Sequence, residues 1–209
     1  MTVRRSQPWG SAATLPDGAP IASSNAELRR LISSQCAGDA PTTPVGVVGG
    51  DLWSVVGRPA GGADRLRSAI ARTAPIDVIE ITADGETHWA CVGSVARNSW
   101  WRGPVVAAMS AESLGMWRLA PAAHPNDGRL HVFSTGLDQP TLSAAQRVLA
   151  RRRLRSGAHV PHPAIAVRRV QSWEHRFDRP LGLWLDGEMV GRCRELSLAI
   201  RPDAAVIVF

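Results

Sequence analysis

Leu181-Gly182-Leu183-Trp184-Leu185-Asp186-Gly187-Glu188-Met189-Val190 is the stretch that decides the fold. An apolar run, an Asp-Gly pair and a second apolar run make the pattern of a tight hairpin, because Asp and Gly tolerate the left-handed backbone such turns require. The same tripeptide occurs again at Asp84-Gly85-Glu86, between Ile76-Asp77-Val78-Ile79-Glu80-Ile81 and residues 88–95, which predicts a second hairpin. Working outward, further strands are expected at 104–109, 129–134, 163–170, 194–200 and 204–208, with 181–185 and 188–191 as the arms of the first hairpin. Short strands punctuated by Gly and Pro predict a mainly β (α+β) fold, a sandwich or distorted barrel with a few peripheral helices.

The helices are fewer. Ser24 with Glu27 makes a capping-box pattern, and Leu28, Leu31 and Ile32 fall on one face behind it. Residues 64–72 read as helical through Leu66, Ala69 and Ile70. A third helix starts at Ser143 and Gln146, ends at Gly157, and is expected to bury Val148 and Leu149. Ahead of these, residues 1–23 read as a loose arm. Residues 38–44 form a linker, and 45–48 a short buried strand running into Gly49-Gly50-Asp51. The expected division is an N-terminal arm and helix over 1–44 and a β domain over 45–209.

Composition narrows the chemistry. The chain has 209 residues, no lysine and no tyrosine, so all 24 of its basic side chains are arginine and the net charge is +6. Chemistry that needs a lysine, such as a P-loop or a Schiff base, is excluded. Arginine suits phosphate, whose oxygens its planar fork meets with two parallel hydrogen bonds. Cys36, Cys91 and Cys193 are widely spaced and odd in number, which points to neither a disulfide framework nor a zinc site. The basic first residues lack the apolar core of a signal peptide, and the apolar runs are too short to span a bilayer, so the expected location is cytoplasmic, peripheral to the membrane at most.

Pro125-Asn126-Asp127-Gly128-Arg129-Leu130, then a helix, then Leu185-Asp186-Gly187-Glu188 some twenty residues before the last one, resembles the bacterial diacylglycerol kinase and sphingosine kinase family. The likeness covers roughly 45–209 and matches that family's β-rich C-terminal domain. It implies Glu188 as the proton acceptor facing a lipid hydroxyl, with Asp186 as the neighbouring acid. It implies Asp127 as a ligand of a structural magnesium ion, with backbone carbonyls near His124 and Arg129 as co-ligands, a donor set that suits a hard cation. Gly49, Gly50 and Asp51 match the family's Gly-Thr-x-Asn-Asp turn, which helps hold nucleotide phosphates, although the Thr and Asn positions differ. The family's Gly-Gly-Asp-Gly-Thr loop has no counterpart in the sequence. From pattern alone, both Asp-Gly-Glu and Asn-Asp-Gly are equally well read as ordinary turns, and Gly-Gly-Asp as the end of a strand.

Magnitudes convert that loss into an expectation. Holding the reactants of a phosphoryl transfer in register is worth ~7–11 kcal/mol, whereas a general base contributes ~10²–10⁴-fold. A chain that keeps the base without the cradle is expected to be a truncated homologue that binds a lipid or phosphorylated ligand without using ATP by itself. The rival expectation is an active lipid kinase completed by a separate nucleotide-binding subunit or a second copy. A nucleic-acid-binding protein is a third, resting on arginines and tryptophans without a recognition motif.

Two features stand apart. Arg151, Arg152, Arg153 and Arg155 suit a helix C-terminus electrostatically; equally, they form a patch for an anionic ligand, and at ~1 kcal/mol each near anionic lipid they would localise a protein transiently. Eight tryptophans against three phenylalanines include Trp100-Trp101, able to stack on rings or head groups but equally at home in a core. His159 and His162 lack a third partner in sequence that would make them metal ligands.

Overall fold

The computed structural model describes residues 9–38, 42–138 and 140–209. In chain order the elements are β1 (Ser11–Ala12), β2 (Ile21–Ala22), α1 (Asn25–Cys36), β3 (Val45–Val47), α2 (Gly50–Val55), α3 (Gly62–Leu66), β4 (Arg72–Ala83), β5 (Glu86–Ala90) and β6 (Gly93–Arg97). They continue with β7 (Val105–Met109), β8 (Leu130–Thr135), α4 (Ala144–Leu154), β9 (Ala166–Val170), β10 (Ser172–Leu185) and β11 (Glu188–Val208).

The strands form one eleven-stranded sheet with the path β1-β4-β11-β10-β6-β7-β8-β9, antiparallel at every step. Strand β5 pairs with β4, while β3 joins β11 and β2 joins β3 in parallel. The fold is thus mainly β and sandwich-like, with peripheral helices. Side chains of a strand alternate between its faces, and the central strands bury both. On β4, Ile76 and Val78 enter the core shared with the helices, while Ile79 and Ile81 enter a second core between β-layers. Val95 and Ala96 on β6, and Ala107 and Ala108 on β7, divide in the same way. The second core is completed by Phe177, Leu183 and Leu185 from β10 and Leu196 and Leu198 from β11.

The structure departs from the sequence reading in several places. The expected strand 88–95 is broken at Cys91-Val92, so that β5 stays with β4 while β6 crosses to β10 and β7. Three strands expected between 188 and 208 are a single 21-residue strand, with a register shift between Arg201 and Ala205 that absorbs Pro202 and places Asp203 at φ +55°. The helix expected over 64–72 stops at Leu66; Ile70 is exposed and β4 begins at Arg72. Ser24 caps α1 as expected, but Glu27 reaches back to the N–H and hydroxyl of Ser23 rather than closing a reciprocal box. In the arm, Trp9 donates its indole N–H to Pro75 O and stacks on Phe209, β1 pairs with β4, and Leu15 is buried. Residues 1–8 of the arm and 39–41 of the linker lie outside the described residues.

Helix α4 carries the largest difference. Its capping box, Ser143 with Gln146, forms as read, but Val148 and Leu149 face outward and the buried positions are Arg147 and Leu154. Arg147 donates to the carbonyls of Leu142, Trp100 and Gly103, and those three acceptors fix which face turns inward.

Candidate functional site

Both Asp-Gly-Glu hairpins adopt the turn their sequence asks for: Asp84 and Gly85, like Asp186 and Gly187, have positive φ at both central positions. Their aspartates then do different things. Asp84 sits at the surface and accepts the N–H groups of Arg194 and Glu195. Asp186 is buried and accepts the N–H groups of Cys91, Val92 and Gly93 at 2.8, 2.8 and 3.0 Å, the backbone at which β5 gives way to β6. Glu188, the next acid, is oriented outward. Its side chain is 46% exposed and is met by Arg29 of α1 at 2.6 Å, with Arg30 at 3.8 Å.

The N-termini of α1 and α2 come together beside this hairpin. The parallel strands β2 and β3 each lead into one of these helices, and Gly49 lets the two loops touch: a Cβ there would lie 2.1 Å from Ser23 O. Asn25 closes the junction. Its Oδ1 accepts the Asp51 N–H at 2.7 Å and its Nδ2 donates to Asp51 Oδ2, which also accepts the Gly115 N–H. Gly49, Gly50 and Asp51 thus sit at the junction closed by Asn25, which shares a cleft with Asp186, and the Asp51 N–H at the start of α2 is already bonded to Asn25.

Between the hairpin and these loops runs a cleft lined by Asn25, Arg97, Trp100, Gly115, Trp184 and Asp186. The Arg97 guanidinium is held between two indoles, 4.2 Å from the Trp100 ring and 4.0 Å from that of Trp184. Nothing in the spacing of Arg97, Trp100 and Trp184 announces this clamp, because it forms across two paired strands. Trp100 also walls a second, mostly apolar cavity between α4 and the sheet, lined by Ala107, Phe133, Thr135, Leu154 and His159 among others. Thr135 Oγ1 is buried there without a hydrogen-bond partner, and the buried His159 ring has only the Leu119 carbonyl beside it, at poor hydrogen-bond geometry. Burial holds the His159 pKa below its usual value, against a pull from the Leu119 carbonyl, so the ring is neutral at pH 7. His162 uses Nδ1 to accept the Ala164 N–H.

Asp127 lies elsewhere, in a polar turn at the far side of β4. Asp77 of β4 accepts the N–H groups of Gly128 and Asp203, while Asn126 bridges from Asp77 to Asp203. Asp127 accepts the Arg129 N–H on one oxygen; on the other it meets His131 Nε2 and the Arg169 guanidinium, both at 3.0 Å. Burial would raise its pKa, but the His131 contact, the Arg129 N–H and the Arg169 charge together lower it. The carbonyl of His124 accepts the Asp127 N–H. Among the described residues no group of three His, Cys, Asp or Glu side chains is placed to hold a metal ion. Both carboxylate oxygens of Asp127 carry hydrogen bonds, and Arg169 places a positive charge beside it. Arg129 is exposed and contributes only its backbone.

Asp77 and Asp186 set a pH dependence. Burial pushes both carboxyl groups up to about 6, more than the N–H donors around each of them pull down. The folded state therefore binds these protons more tightly than the unfolded chain. Their stabilising contribution is full below the ordinary carboxylate value and is lost as pH rises through about 6. Asp127, shifted the other way, loses its contribution as the pH falls. Melting temperature followed against pH should peak near the ordinary carboxylate value of about 4 and fall toward neutrality, and Asp77→Asn should flatten that fall.

The family model described as the YegS C-terminal NAD kinase beta sandwich-like domain matches residues 66–209. Among solved structures, one named as a diacylglycerol kinase from Bacillus anthracis str. Sterne superposes with a TM-score of 0.67 at 10% identity, covering 90% of this chain and 76% of that one. A second from the same source gives 0.61 at 11% identity, covering 79% and 69%. At such identities the likeness establishes the fold alone. No curated protein sequence matches the chain.

Proposed function

Because the chain belongs to the family of the YegS C-terminal NAD kinase beta sandwich-like domain, we propose that it binds a lipid, or a phosphorylated derivative of one, and does not transfer phosphate by itself. The observation that carries this reading is the cavity under α4. Its walls are apolar, and its orphaned Thr135 hydroxyl, with the poorly satisfied His159 ring beside it, would be met by the ester or hydroxyl of an acyl ligand. A buried polar group without a partner costs ~1–3 kcal/mol, and a ligand that satisfies it recovers that cost on binding. Trp100 is shared between this cavity and the cleft, so a head group could lie against Arg97 while the tail runs beneath α4.

Two features support the absence of autonomous transfer. The Asp51 N–H is bonded to Asn25 rather than free for phosphate, and the Glu188 carboxylate is occupied by the Arg29 guanidinium. The partially exposed Glu188 also keeps the rival reading, a kinase completed by another polypeptide, open to test.

The test combines transfer and binding. The protein is incubated with radiolabelled Mg-ATP and a lipid extract, beside Glu188→Gln, and its tryptophan fluorescence is titrated with a monoacylglycerol and with the corresponding lysophosphatidate. Saturable quenching without label in lipid is expected. Label entering lipid with the wild type but not the variant would establish a kinase, and an absence of saturable quenching would remove the lipid-binding reading.

A further inference from the structure

Helix α4 has a second face. Its inner side closes the cavity, while its outer side presents residues 148, 151, 152 and 155, one helical stripe of Val148 with three arginines. Trp101 and Met116 flank that stripe in one shallow surface depression, and Leu149 follows on the helix. All four apolar side chains are open to solvent: Met116 is 66% exposed, Trp101 51%, Leu149 47% and Val148 39%. The arginines are joined to this surface rather than to acids. The Arg151 guanidinium lies 5.3 Å from the Trp101 ring centroid, and Arg155 reaches the Met116 sulfur at 3.6 Å. Among the described residues no carboxylate pairs with Arg151, Arg152, Arg153 or Arg155.

We propose that this face docks the protein on an anionic lipid bilayer, with Trp101, Met116, Val148 and Leu149 entering the interface and Arg151, Arg152 and Arg155 meeting lipid phosphates. The charge complementarity is one-sided: unpaired cations surround apolar groups with no acid among them. An indole beside a guanidinium is the combination that suits the head-group layer, where one end is apolar and the other wet. A nucleic acid would use the arginines and stack on Trp101, but would gain nothing from Met116, Val148 and Leu149. Among the described residues no helix is long and apolar enough to cross a membrane, so the contact would be peripheral. Docking this way places the outer wall of the cavity against the bilayer. The proposal does not depend on the cavity binding lipid, since of these residues only Arg151 also borders it.

The full chain would be sedimented with vesicles of phosphatidylcholine, alone and mixed with phosphatidylglycerol, at low and high salt. Binding to the mixed vesicles alone, weakened by salt, is expected. Replacing Arg151, Arg152 and Arg155 by alanine should lower the partition coefficient by roughly a hundredfold, from about 1 kcal/mol per arginine. Val148→Asp with Leu149→Asp should also release the protein. Arg67→Ala with Arg129→Ala, which changes net charge away from this face, should cost only a few-fold. Because every substituted side chain is exposed, a melting curve suffices to show that each variant is folded. Equal binding to neutral vesicles, no binding at all, or an equal loss from the Arg67/Arg129 variant would overturn the proposal. So would displacement of the protein from vesicles by a DNA or RNA duplex with the same dependence on the α4 arginines, which would make nucleic acid the occupant.

Discussion

Asp186→Ala is expected to leave the chain unable to fold at physiological temperature. The substitution removes the acceptor of three buried N–H groups, at Cys91, Val92 and Gly93. Each such group left without a partner costs ~1–3 kcal/mol. Three of them together approach the ~5–15 kcal/mol by which a domain is stable at all. The molecule contains its own control in Asp84→Ala. That residue occupies the same turn with the same backbone, but its N–H donors lie at the surface, where water can replace the carboxylate. The loss at Asp84 should stay near ~1 kcal/mol. Urea unfolding of both variants makes the comparison, and equal losses would show that the turn itself, not the clamp on the β5–β6 break, carries the stability.

Arg147→Ala should be the second most damaging change considered. The guanidinium is a buried cation with no acid beside it, held by three carbonyls from two segments. Hydrogen bonds to a charged group contribute ~1.5–3 kcal/mol each, and the three carbonyls would be left facing a void. A loss of about 3–5 kcal/mol is expected in urea unfolding. Loosening of α4 and of residues 99–103 should accompany it, seen as a change in Trp100 fluorescence. Arg147→Lys should restore only part of this, because a single ammonium lacks the fork that spans the three acceptors.

The contrast between Arg147 and its neighbours shows where the sequence can be read and where it cannot. Helical periodicity marks Val148 and Leu149 as the buried face because they are apolar, yet the helix turns Arg147 inward, since the Leu142 carbonyl just before the helix and two carbonyls of residues 100–103 match its fork. Such a match exists only once the chain is folded. The hairpins were legible because Asp-Gly encodes its own backbone geometry. What the Asp186 carboxylate binds was not, because its partners lie more than ninety positions earlier. Likewise, Asn-Asp-Gly announces a turn at 126–128, while the commitment of Asp127 to His131 and Arg169 emerges only when β8 and β9 pair. Pro202-Asp203 read as a break between two strands, and the bulge at that point keeps them one. Family likeness singles out Asp186, Glu188 and Gly49-Gly50-Asp51 one by one without their arrangement; Arg29, Asn25 and Arg97, which meet Glu188, Asp51 and the cleft beside Asp186, had no local pattern to reveal them.

The long strand β11 also bears on how the molecule assembles. It is the shared neighbour of β4, β10 and β3, and pairs Val208 with Thr73 as well as Glu188 with Leu185. Every one of those partners is synthesised before it. As the chain leaves the ribosome, the unpaired edges of β4 and β10 must therefore wait for the strand that bridges them, with their apolar side chains exposed in the meantime. Contacts so distant in sequence form slowly, and open strand edges in that interval are where intermolecular association competes. Production of the protein should accordingly be governed less by its final stability than by translation speed, temperature and chaperone supply during that delay.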